Sequence, residues 1–267
     1  MKVGIVILSW NSSERIMDCL NSIDKYLDQS IYIVDNGSID NSVEIITKHS
    51  PSTTLIELPV NHGFCGGCNV GMKKALKDGC DAVLLLNDDT IVVEDFITPL
   101  AELMKSHTKI GIIGPIIVEA YNEDLIQFGG GTINKWSASF RYKRRGERYQ
   151  RSDTLIETDY MLGAGMMISK EVIDKIGFLD EDYYPAYVEE ADFCYRAKEA
   201  GFGSYIYDGV RLKHVGGASQ GSYGVGFIRL YKNKFLFTLK HNNALQFLTS
   251  SLIICSRIVI YKVLGRL

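Results

Sequence analysis

The chain has 267 residues, of which 46% are hydrophobic and 23% charged, and its formal net charge at pH 7 is −3. This length suits one large α/β domain or two small ones, and the composition is that of a globular protein. Nucleic-acid-binding proteins normally carry a basic surplus, so we expect no nucleic acid among the partners.

Six cysteines are scattered through the chain, mostly among apolar residues. Cys65 and Cys68 have the CxxC spacing of a zinc ligand pair, but no second pair completes the site. Reduced thiols are typical of cytoplasmic proteins. Met1 and Lys2 run directly into an apolar strand, without the pattern of a cleavable leader. We therefore expect the active part of the protein to face the cytoplasm.

The first half of the chain alternates apolar runs with segments of helical periodicity. We predict strands at residues 3–8, 31–34, 54–58, 83–86 and 110–115. We predict helices at residues 15–23, 42–49, about 61–77 and 94–106. This alternation predicts an α/β fold with a doubly wound, mainly parallel sheet flanked by helices.

Polar residues directly follow two of the predicted strands. Asn87, Asp88 and Asp89 follow the run at 83–86, and Asp35 follows the run at 31–34. Ligands bind outside the carboxyl ends of the strands in such sheets. Adjacent carboxylates suit Mg²⁺ or Mn²⁺ that also holds a substrate phosphate, and Asp35 could accept from a pyrimidine base or a ribose hydroxyl. The alternative is a pair of ordinary polar turns.

Residues 61–71 contain four glycines, ahead of and within a predicted helix. Glycine lets the backbone approach a ligand closely, and the start of a helix favours negative charge. The pattern is neither a Walker loop nor a dinucleotide-binding motif, and glycines alone are weak evidence.

The second half of the chain begins with a predicted insertion at residues 120–155, a loop or hairpin containing the basic run 143–148. That run is either a solvated face or a contact for an anionic acceptor or a membrane. Further strands are predicted at 159–169 and 203–207, with a helix at 171–177 between them.

Three acidic residues, Glu189, Glu190 and Asp192, lie at the start of another predicted helix, where the helix dipole favours their charge. Arg196 is four residues after Asp192 and can pair with it. The two glutamates have no such partner, so one is free to act as a base. His214 is a further candidate at the rim of the site, although a lone histidine is more often structural.

Together these motifs resemble the family 2 inverting glycosyltransferases with the GT-A fold, and particularly their bacterial rhamnosyltransferase-like branch. The matching pieces, between about Val3 and Asn242, are residues 9–11, 34–40, 61–64 with Gly66, Asn69 and Gly71, 86–90, 163–164, 189–192 and His214. The resemblance implies transfer of a sugar, with rhamnose favoured, from a dTDP- or UDP-sugar to a glycan or lipid-linked acceptor in surface polysaccharide synthesis.

The resemblance also implies roles for individual residues. Glu190 would be the catalytic base, with Glu189 as the alternative, and Asp89 and His214 would contact Mg²⁺ or Mn²⁺. Asn87 occupies the first position of the DxD-type motif, so metal ligation would rest mainly on Asp89. The expected nucleotide-binding residues are Ser9, Trp10, Asn11, Asp35, Gly37, Ser38, Asn61, Gly63, Phe64, Gly66, Asn69 and Asp88. The expected acceptor-binding residues are Gly163, Ala164 and Asp192.

Two other functions are compatible with a nucleotide-binding α/β sheet. A sugar-phosphate nucleotidyltransferase would need a glycine-rich, basic triphosphate loop after the first strand, and residues 9–12 do not provide one. A non-catalytic nucleotide-sugar-binding subunit would tolerate loss of the acidic sites, yet Asp89 and Glu190 are both present.

We expect one GT-A-type domain at residues 1–243, with a nucleotide-binding half at 1–115 and an acceptor and catalytic half at 116–243. An apolar C-terminal helical extension would occupy residues 244–267. Arg257 and Lys262 interrupt its apolar run, so a clean membrane span is not expected. The extension would lie on the inner face of the plasma membrane as a peripheral helix, or pack on the catalytic domain or in a homodimer.

Overall fold

A ten-stranded sheet with helices on both faces forms the centre of the protein. The computed structural model describes residues 1–26, 29–50, 52–216 and 223–263; the last four residues of the predicted extension lie outside these ranges. The strands are β1 (Val3–Ser9), β2 (Ser30–Asp35), β3 (Thr54–Glu57), β4 (Ala82–Asn87), β5 (Thr90–Val92), β6 (Ile110–Glu119), β7 (Asn122–Phe128), β8 (Gly131–Asn134), β9 (Ser139–Tyr142), β10 (Leu155–Thr158), β11 (Gly165–Ser169) and β12 (Gly203–His214). The helices are α1 (Ile16–Tyr26), α2 (Ser42–His49), α3 (Gly63–Lys77), α4 (Ile97–Ser106), α5 (Lys170–Ile176), α6 (Glu189–Glu199), α7 (Tyr223–His241) and α8 (Ala244–Val263).

The strand order is β10-β12-β6-β11-β4-β1-β2-β3, with β5 added at β12 and β7 at β6. The run β3-β2-β1-β4 is parallel, which confirms the predicted parallel α/β sheet. The sequence did not predict that β11 would lie antiparallel between β4 and β6. All five residues of β11 are buried, so this late strand fills the centre of the sheet.

The apolar runs of the strands supply two hydrophobic clusters, one for each face of the sheet. Val6 and Leu85 belong to one cluster, whereas Ile7 and Leu84 belong to the other. Because successive side chains of a strand point to opposite faces, an unbroken apolar run needs cover on both sides. The flanking helices provide that cover and leave the carboxyl ends of the strands open.

The insertion and the C-terminal helices lie outside this parallel unit. Residues 120–155 form strands, including the β8–β9 hairpin, as expected. α7 was not predicted from the sequence. α8 runs continuously through Arg257 and Lys262, and among the described residues it is the one helix long and apolar enough to cross a membrane.

Candidate active site

A cleft of about 300 Å³ lies at the carboxyl ends of β1 and β4, where ligands are expected in this type of sheet. Its walls are Leu8, Trp10, Asn11, Arg15, Asn36, Asn61, Gly63, Phe64, Asn87, Asp88, Asp89, Pro185, Ala186, Tyr187 and Arg229. A larger hollow of about 550 Å³ lies at the amino ends of β1 and β2, away from the polar motifs. The smaller cleft is therefore the candidate active site.

Six of the expected nucleotide-binding residues line the cleft, namely Trp10, Asn11, Asn61, Gly63, Phe64 and Asp88. Asn36 joins two of the segments involved. Its amide nitrogen donates to Asn61 Oδ1 at 3.2 Å and to the Gly63 carbonyl at 3.0 Å, and its Oδ1 accepts from the His62 N–H at 2.9 Å. The loop after β2 and the start of α3 thus form one wall.

The sequence motif predicts that Asp35 contacts the nucleotide, but in the structure Asp35 does not line the cleft. It is 2% exposed, and its carboxylate accepts from the N–H of Ser38 at 3.0 Å and from the Ser38 hydroxyl. Gly37 between them has φ +73°, and a Cβ there would lie 2.7 Å from the Val60 backbone. In this structure the motif shapes a tight turn behind the nucleotide wall.

The other expected nucleotide contacts also act behind the wall. Ser9 is buried and shares a hydrogen bond with the Ser12 hydroxyl. Gly66 is buried in α3, where a Cβ would lie 2.8 Å from the Cβ of His62. The Asn69 side chain donates to the Leu179 carbonyl at 2.9 Å and accepts from its N–H at 3.0 Å. These residues hold the elements of the cleft together and do not line it.

Asp89 and His214, the expected metal contacts, lie side by side with Asp89 Oδ1 3.1 Å from His214 Nε2. His214 Nδ1 is 2.7 Å from Gln127 Oε1, while the Gln127 amide nitrogen faces Glu119 and the His214 carbonyl. Nδ1 therefore donates to Gln127. Nε2 faces Asp89 Oδ1, to which it donates in the imidazolium form, and in the neutral form it could instead ligate a cation there. Asn87 Nδ2 approaches the same nitrogen at 3.3 Å.

This donor set suits a hard divalent cation bound through few protein ligands. Among the described residues, no group of three or more His, Cys, Asp or Glu could hold a metal ion. Mg²⁺ is commonly bound by one or two carboxylates together with waters and substrate phosphates. Asp89 and His214 fit such a shared site, in which the substrate completes the ligand shell.

Arg15 is a cleft residue to which the sequence analysis gave no role. It donates to both carboxylate oxygens of Asp88, at 3.1 and 3.0 Å. Burial raises the pKa of Asp88 despite this pairing. Burial also opposes ionisation of Asp89, but the hydrogen bond and charge of His214, with Arg15, lower its pKa on balance. Asp89 is thus the more readily ionised of the two carboxylates.

Glu189 and Glu190 occupy different surroundings at the start of α6. Glu189 is 2% exposed, and its Oε2 has no hydrogen-bond partner among the described residues. Glu190 is partly exposed and accepts from the Gly163 N–H at 3.1 Å. A Cβ at Gly163 would lie 2.5 Å from the ring of Phe64, a wall of the cleft. Burial raises the pKa of both glutamates, and the neighbouring charge of Glu190 raises that of Glu189 further.

Asp192 is fully buried, and the structure does not bring it to the cleft. Its carboxylate accepts from Tyr183 at 3.1 Å and from Arg196 at 2.7 Å, and it lies 2.6 Å from His241 Nε2. Burial opposes its ionisation, but His241 and Arg196 lower its pKa on balance. The predicted pairing with Arg196 is confirmed. An acceptor could not reach this carboxylate, nor the side chain of Ala164, which is 1% exposed.

Asn233 of α7 holds the loop that leads into α6. Its side-chain nitrogen lies 2.8–2.9 Å from the carbonyls of Tyr183, Ala186 and Tyr187. Tyr187 and Val188 have φ of 85° and 78°, which is strained for residues with a Cβ. Sequence patterns gave no sign of this role, because the contacts span more than 40 positions.

The chain matches the family model described as "Glycosyl transferase family 2" over residues 4–177. It is 29% identical over 199 residues to "Low-salt glycan biosynthesis hexosyltransferase Agl10" of Haloferax volcanii, covering 73% of this chain and 61% of that one. It is 22% identical over 254 residues to "dTDP-rhamnosyl transferase RfbF" of Shigella flexneri, covering 89% and 80%. The family resemblance drawn from the motifs is thereby confirmed.

Solved structures with the same fold include two that align at low sequence identity. The structure titled "Crystal structure of GalNAc-T7 with UDP, GalNAc and Mn2+" aligns with TM-score 0.72 and 16% identity, covering 90% of this chain and 48% of the other. S. aureus TarS (residues 1–349) in complex with UDP aligns with TM-score 0.60 and 16% identity, covering 95% and 71%. At these identities the likeness establishes the fold.

Proposed function

The chain belongs to glycosyl transferase family 2, and from that premise we propose that it transfers a sugar from a nucleotide diphosphate donor to an acceptor hydroxyl, with inversion at the anomeric carbon. The observation that supports this most is the layout of the cleft. The Asp89–His214 pair lies at the end of β4. Glu190 is not among the residues that line the cleft, but the Gly163 N–H holds it close to Phe64, which does line it. Leaving group and general base therefore have separate places.

Glu190 is the proposed general base. It takes the proton from the acceptor hydroxyl as that oxygen attacks the anomeric carbon on the face opposite the diphosphate. The Gly163 N–H fixes one carboxylate oxygen and leaves the other for the acceptor. Burial raises the pKa of Glu190, so its carboxylate is a stronger base than an exposed glutamate. Glu189 is the less suited of the two because it is buried.

Asp89 and His214 are the proposed ligands of Mg²⁺ or Mn²⁺. A bound divalent cation would neutralise the charge that develops on the departing diphosphate. Gln127 fixes the His214 ring through Nδ1, and the lowered pKa of Asp89 keeps that side chain ionised at neutral pH. Arg15, paired with Asp88, adds positive charge to the same wall.

The proposed donor is a dTDP- or UDP-sugar, with rhamnose favoured. The Shigella relative is named a dTDP-rhamnosyl transferase, and both structural neighbours cited above were solved with UDP. Exposed Trp10, together with Asn11, Asn36 and Asn61, gives the nucleotide wall a flat ring and several amide groups for base and ribose. Asp35 would contact the base only if its turn opened.

We further propose a glycan or lipid-linked acceptor of surface polysaccharide synthesis, met at the cytoplasmic face of the membrane. The exposed leucine and isoleucine side chains of α8 support a membrane contact. A second copy of the chain is the alternative partner for that face, and it would give a homodimer.

A titration of nucleotides tests the donor assignment. Calorimetry with dTDP, UDP and GDP in the presence of Mn²⁺ should give tighter binding for the two pyrimidine nucleotides. Transfer from dTDP-rhamnose and a panel of UDP-sugars then identifies the sugar. Much tighter binding of GDP would contradict the assignment, and Trp10→Ala should weaken whichever nucleotide binds.

A further inference from the structure

A second arginine, Arg229 of α7, lines the candidate active site, and the proposed function gives it no role. Residues 185–187, the loop that leads into α6, line the same cleft. Within the described part of the chain, the Arg229 side chain makes no hydrogen bond and no ion pair. Arg15, in contrast, donates to both carboxylate oxygens of Asp88. Arg229 therefore brings to the cleft a positive charge that none of the described carboxylates pairs with.

The contact between α7 and the loop before α6 places the Tyr187 side chain beside Arg229. The Asn233 side-chain nitrogen lies 2.9 Å from the Tyr187 carbonyl, and a Cβ at Gly226 would lie 3.8 Å from the Tyr187 hydroxyl. Positions 226 and 233 are about 10 Å apart along the helix, close to the length of a tyrosine residue. Tyr187 therefore runs along this face of α7, and Arg229, one turn before Asn233, lies between its two ends.

Strained backbone holds Tyr187 in this position. Tyr187 and Val188 have φ of 85° and 78°, a region that residues with a Cβ rarely adopt. Such strain persists only where the surrounding structure imposes it, and it is concentrated at functional sites. Burial raises the pKa of Tyr187, and the charge of Arg229 opposes that rise, in agreement with their positions. The turn that starts the helix of the proposed base thus also turns the Tyr187 ring into the cleft.

The groups at this wall suit an anion on the acceptor side of the cleft. A guanidinium group binds phosphate oxygens through its paired N–H donors, and a tyrosine hydroxyl can add one more. The diphosphate of the donor is already assigned to Asp89 and His214, at the end of β4. Tyr187 instead precedes Glu190 by three residues. An anion held here would belong to the molecule whose hydroxyl the proposed base activates.

We propose that Arg229 and the hydroxyl of Tyr187 form a subsite for a phosphate group carried by the acceptor. The proposal rests on the proposed transferase function and narrows its acceptor to a phosphate-bearing one. Arg229 is a binding residue in this assignment, and it takes no part in the proton transfer.

An apolar stripe on α7 favours a lipid as the carrier of that phosphate. Ile228 is 62% exposed, Phe235 39% and Leu239 60%, and these positions share one face of the helix. The ring of Phe235 also contacts that of Phe247 in α8, with centroids 5.5 Å apart. Exposed apolar surface therefore continues from the residue next to Arg229 along α7 to α8. A hydrocarbon chain could lie on this stripe while its phosphate is bound at Arg229.

Calorimetric titration of the full chain with decyl phosphate and uncharged decyl glucoside tests the subsite, with UDP and Mg²⁺ held at saturation to fill the donor side. The wild type should bind decyl phosphate about 10-fold or more tightly than decyl glucoside, as expected for hydrogen bonds to a charged group. Arg229→Gln should remove this preference. Tyr187→Phe, which keeps the ring, should reduce it by roughly 3-fold or more.

The control for lost charge is Lys77→Gln, which should keep the full preference. Lys77 is exposed and ends α3, about 21 Å along the helix from the cleft residue Gly63.

Methyl phosphate identifies the source of the phosphate. If a lipid carries it, the wild type should bind decyl phosphate more tightly than methyl phosphate, and Ile228→Gln should reduce that difference without changing the affinity for methyl phosphate. Equal affinities for the two phosphates, both lost in Arg229→Gln, would assign a soluble phosphorylated acceptor to the same subsite.

UDP titrations of the same proteins separate this proposal from the proposed function. Arg229→Gln should lose more affinity for decyl phosphate than for UDP. A larger loss for UDP would assign Arg229 to the donor and overturn the acceptor subsite, as would a wild type without preference for decyl phosphate over decyl glucoside. A wild type that binds no UDP would contradict the transferase assignment instead, and the same titrations without UDP would still decide the subsite. If Arg229→Gln does not fold, Tyr187→Phe decides.

Discussion

Glu189 and Glu190 differ by one position in the chain and by their whole environment in the fold. Residues one apart on a helix point about 100° apart. Glu189 is therefore buried, with one carboxylate oxygen that has no hydrogen-bond partner among the residues the structure describes, whereas Glu190 accepts from the Gly163 N–H beside Phe64. Because their surroundings differ, we expect the two glutamates to differ in their effect on the transfer rate. Replacing each one in turn by the isosteric glutamine measures that difference.

Glu190→Gln should bind the donor normally and lower the transfer rate by roughly 10²–10⁴-fold, the usual loss when a general base is removed. Glu189→Gln, the matched control, should show a much smaller loss in rate. Steady-state kinetics with separate donor titrations would distinguish the two. A normal rate in Glu190→Gln together with a large loss in Glu189→Gln would exchange their roles.

The same assignment has a pH signature. Burial raises the pKa of Glu190, so the carboxylate becomes protonated, and the rate falls, at a pH above the ordinary glutamate range. The acidic limb of the kcat profile should accordingly lie above that range in the wild type. Glu190→Gln should lack this limb while keeping a low residual rate.

The orientation of His214 beside Asp89 depends on Gln127, a residue that is not itself a proposed metal ligand. Gln127 Oε1 accepts from His214 Nδ1 at 2.7 Å, and this hydrogen bond orients the ring with Nε2 toward Asp89. Partners of this kind commonly tune metal affinity by roughly 10–100-fold.

Asp89→Asn should lower transfer by about 10²–10³-fold, the range for losing a group that stabilises developing charge. Gln127→Leu should weaken activation by Mn²⁺ by roughly 10–100-fold while saturating Mn²⁺ restores most of the rate. Activity titrated with Mn²⁺ after EDTA treatment measures both effects. Full wild-type activity in EDTA would exclude a metal role for this pair.

At the scale of elements, α7 controls the position of α6. Asn233 holds the backbone of Tyr183, Ala186 and Tyr187, and His241 contacts the buried carboxylate of Asp192. A helix absent from the sequence-based prediction thus fixes the helix that carries the proposed base.

Asp192→Asn should lower stability at neutral pH by about 1.5–3 kcal/mol, the contribution of hydrogen bonds to a buried charged group. The folded-state pKa of Asp192 is lowered, so this contribution is present above the unfolded pKa, near 3.9, and disappears as the pH falls through the folded value. The difference in unfolding free energy from the wild type should therefore shrink below about pH 4.

Asp174→Asn is the matched control, because its pair with Lys170 is exposed and should contribute less than about 1 kcal/mol. Denaturant unfolding at several pH values measures both variants. An Asp192→Asn difference that stays constant down to pH 2 would contradict the assigned ionisation.

On the scale of the whole molecule, α8 gives the protein an apolar side. Leu245, Leu248 and Leu252 are each more than half exposed, while Ile254 packs against α7. Such a face on a helix that also carries basic residues is typical of membrane-surface helices. Removing the whole helix would also expose its α7 contacts, so substitution of the outer face is the cleaner test.

Leu248→Gln combined with Leu252→Gln should weaken binding to anionic liposomes by roughly 10²-fold, because two leucine side chains contribute about 3 kcal/mol or more when buried. The Tm should stay near that of the wild type, since both residues are exposed. Tyr121→Gln, an exposed site on the β6–β7 turn, is the control. Unchanged liposome binding with a dimer in light scattering would assign the face to a second copy.

The sequence by itself determined the features that depend on local pattern. Unbroken apolar runs identified the central parallel strands β1 and β4, because a strand buried on both faces is mostly apolar. α2 begins and ends at the predicted residues. The polar residues after β4 were correctly expected at the open edge of the sheet, since parallel strands end there together.

Tertiary structure decided everything that required distant segments to meet. Three contacts of this kind join residues tens of positions apart. They are the pairing of β11 with β4 and β6, the hydrogen bond between Gln127 and His214, and the hydrogen bonds from Asn233 to the loop before α6. Asp35 and Asp192 match the family motifs in sequence, yet both carboxylates are buried and accept hydrogen bonds from other residues of the protein. Which side chain faces a cleft depends on how buried polar groups find partners across the core, and the spacing of residues along the chain does not contain that information.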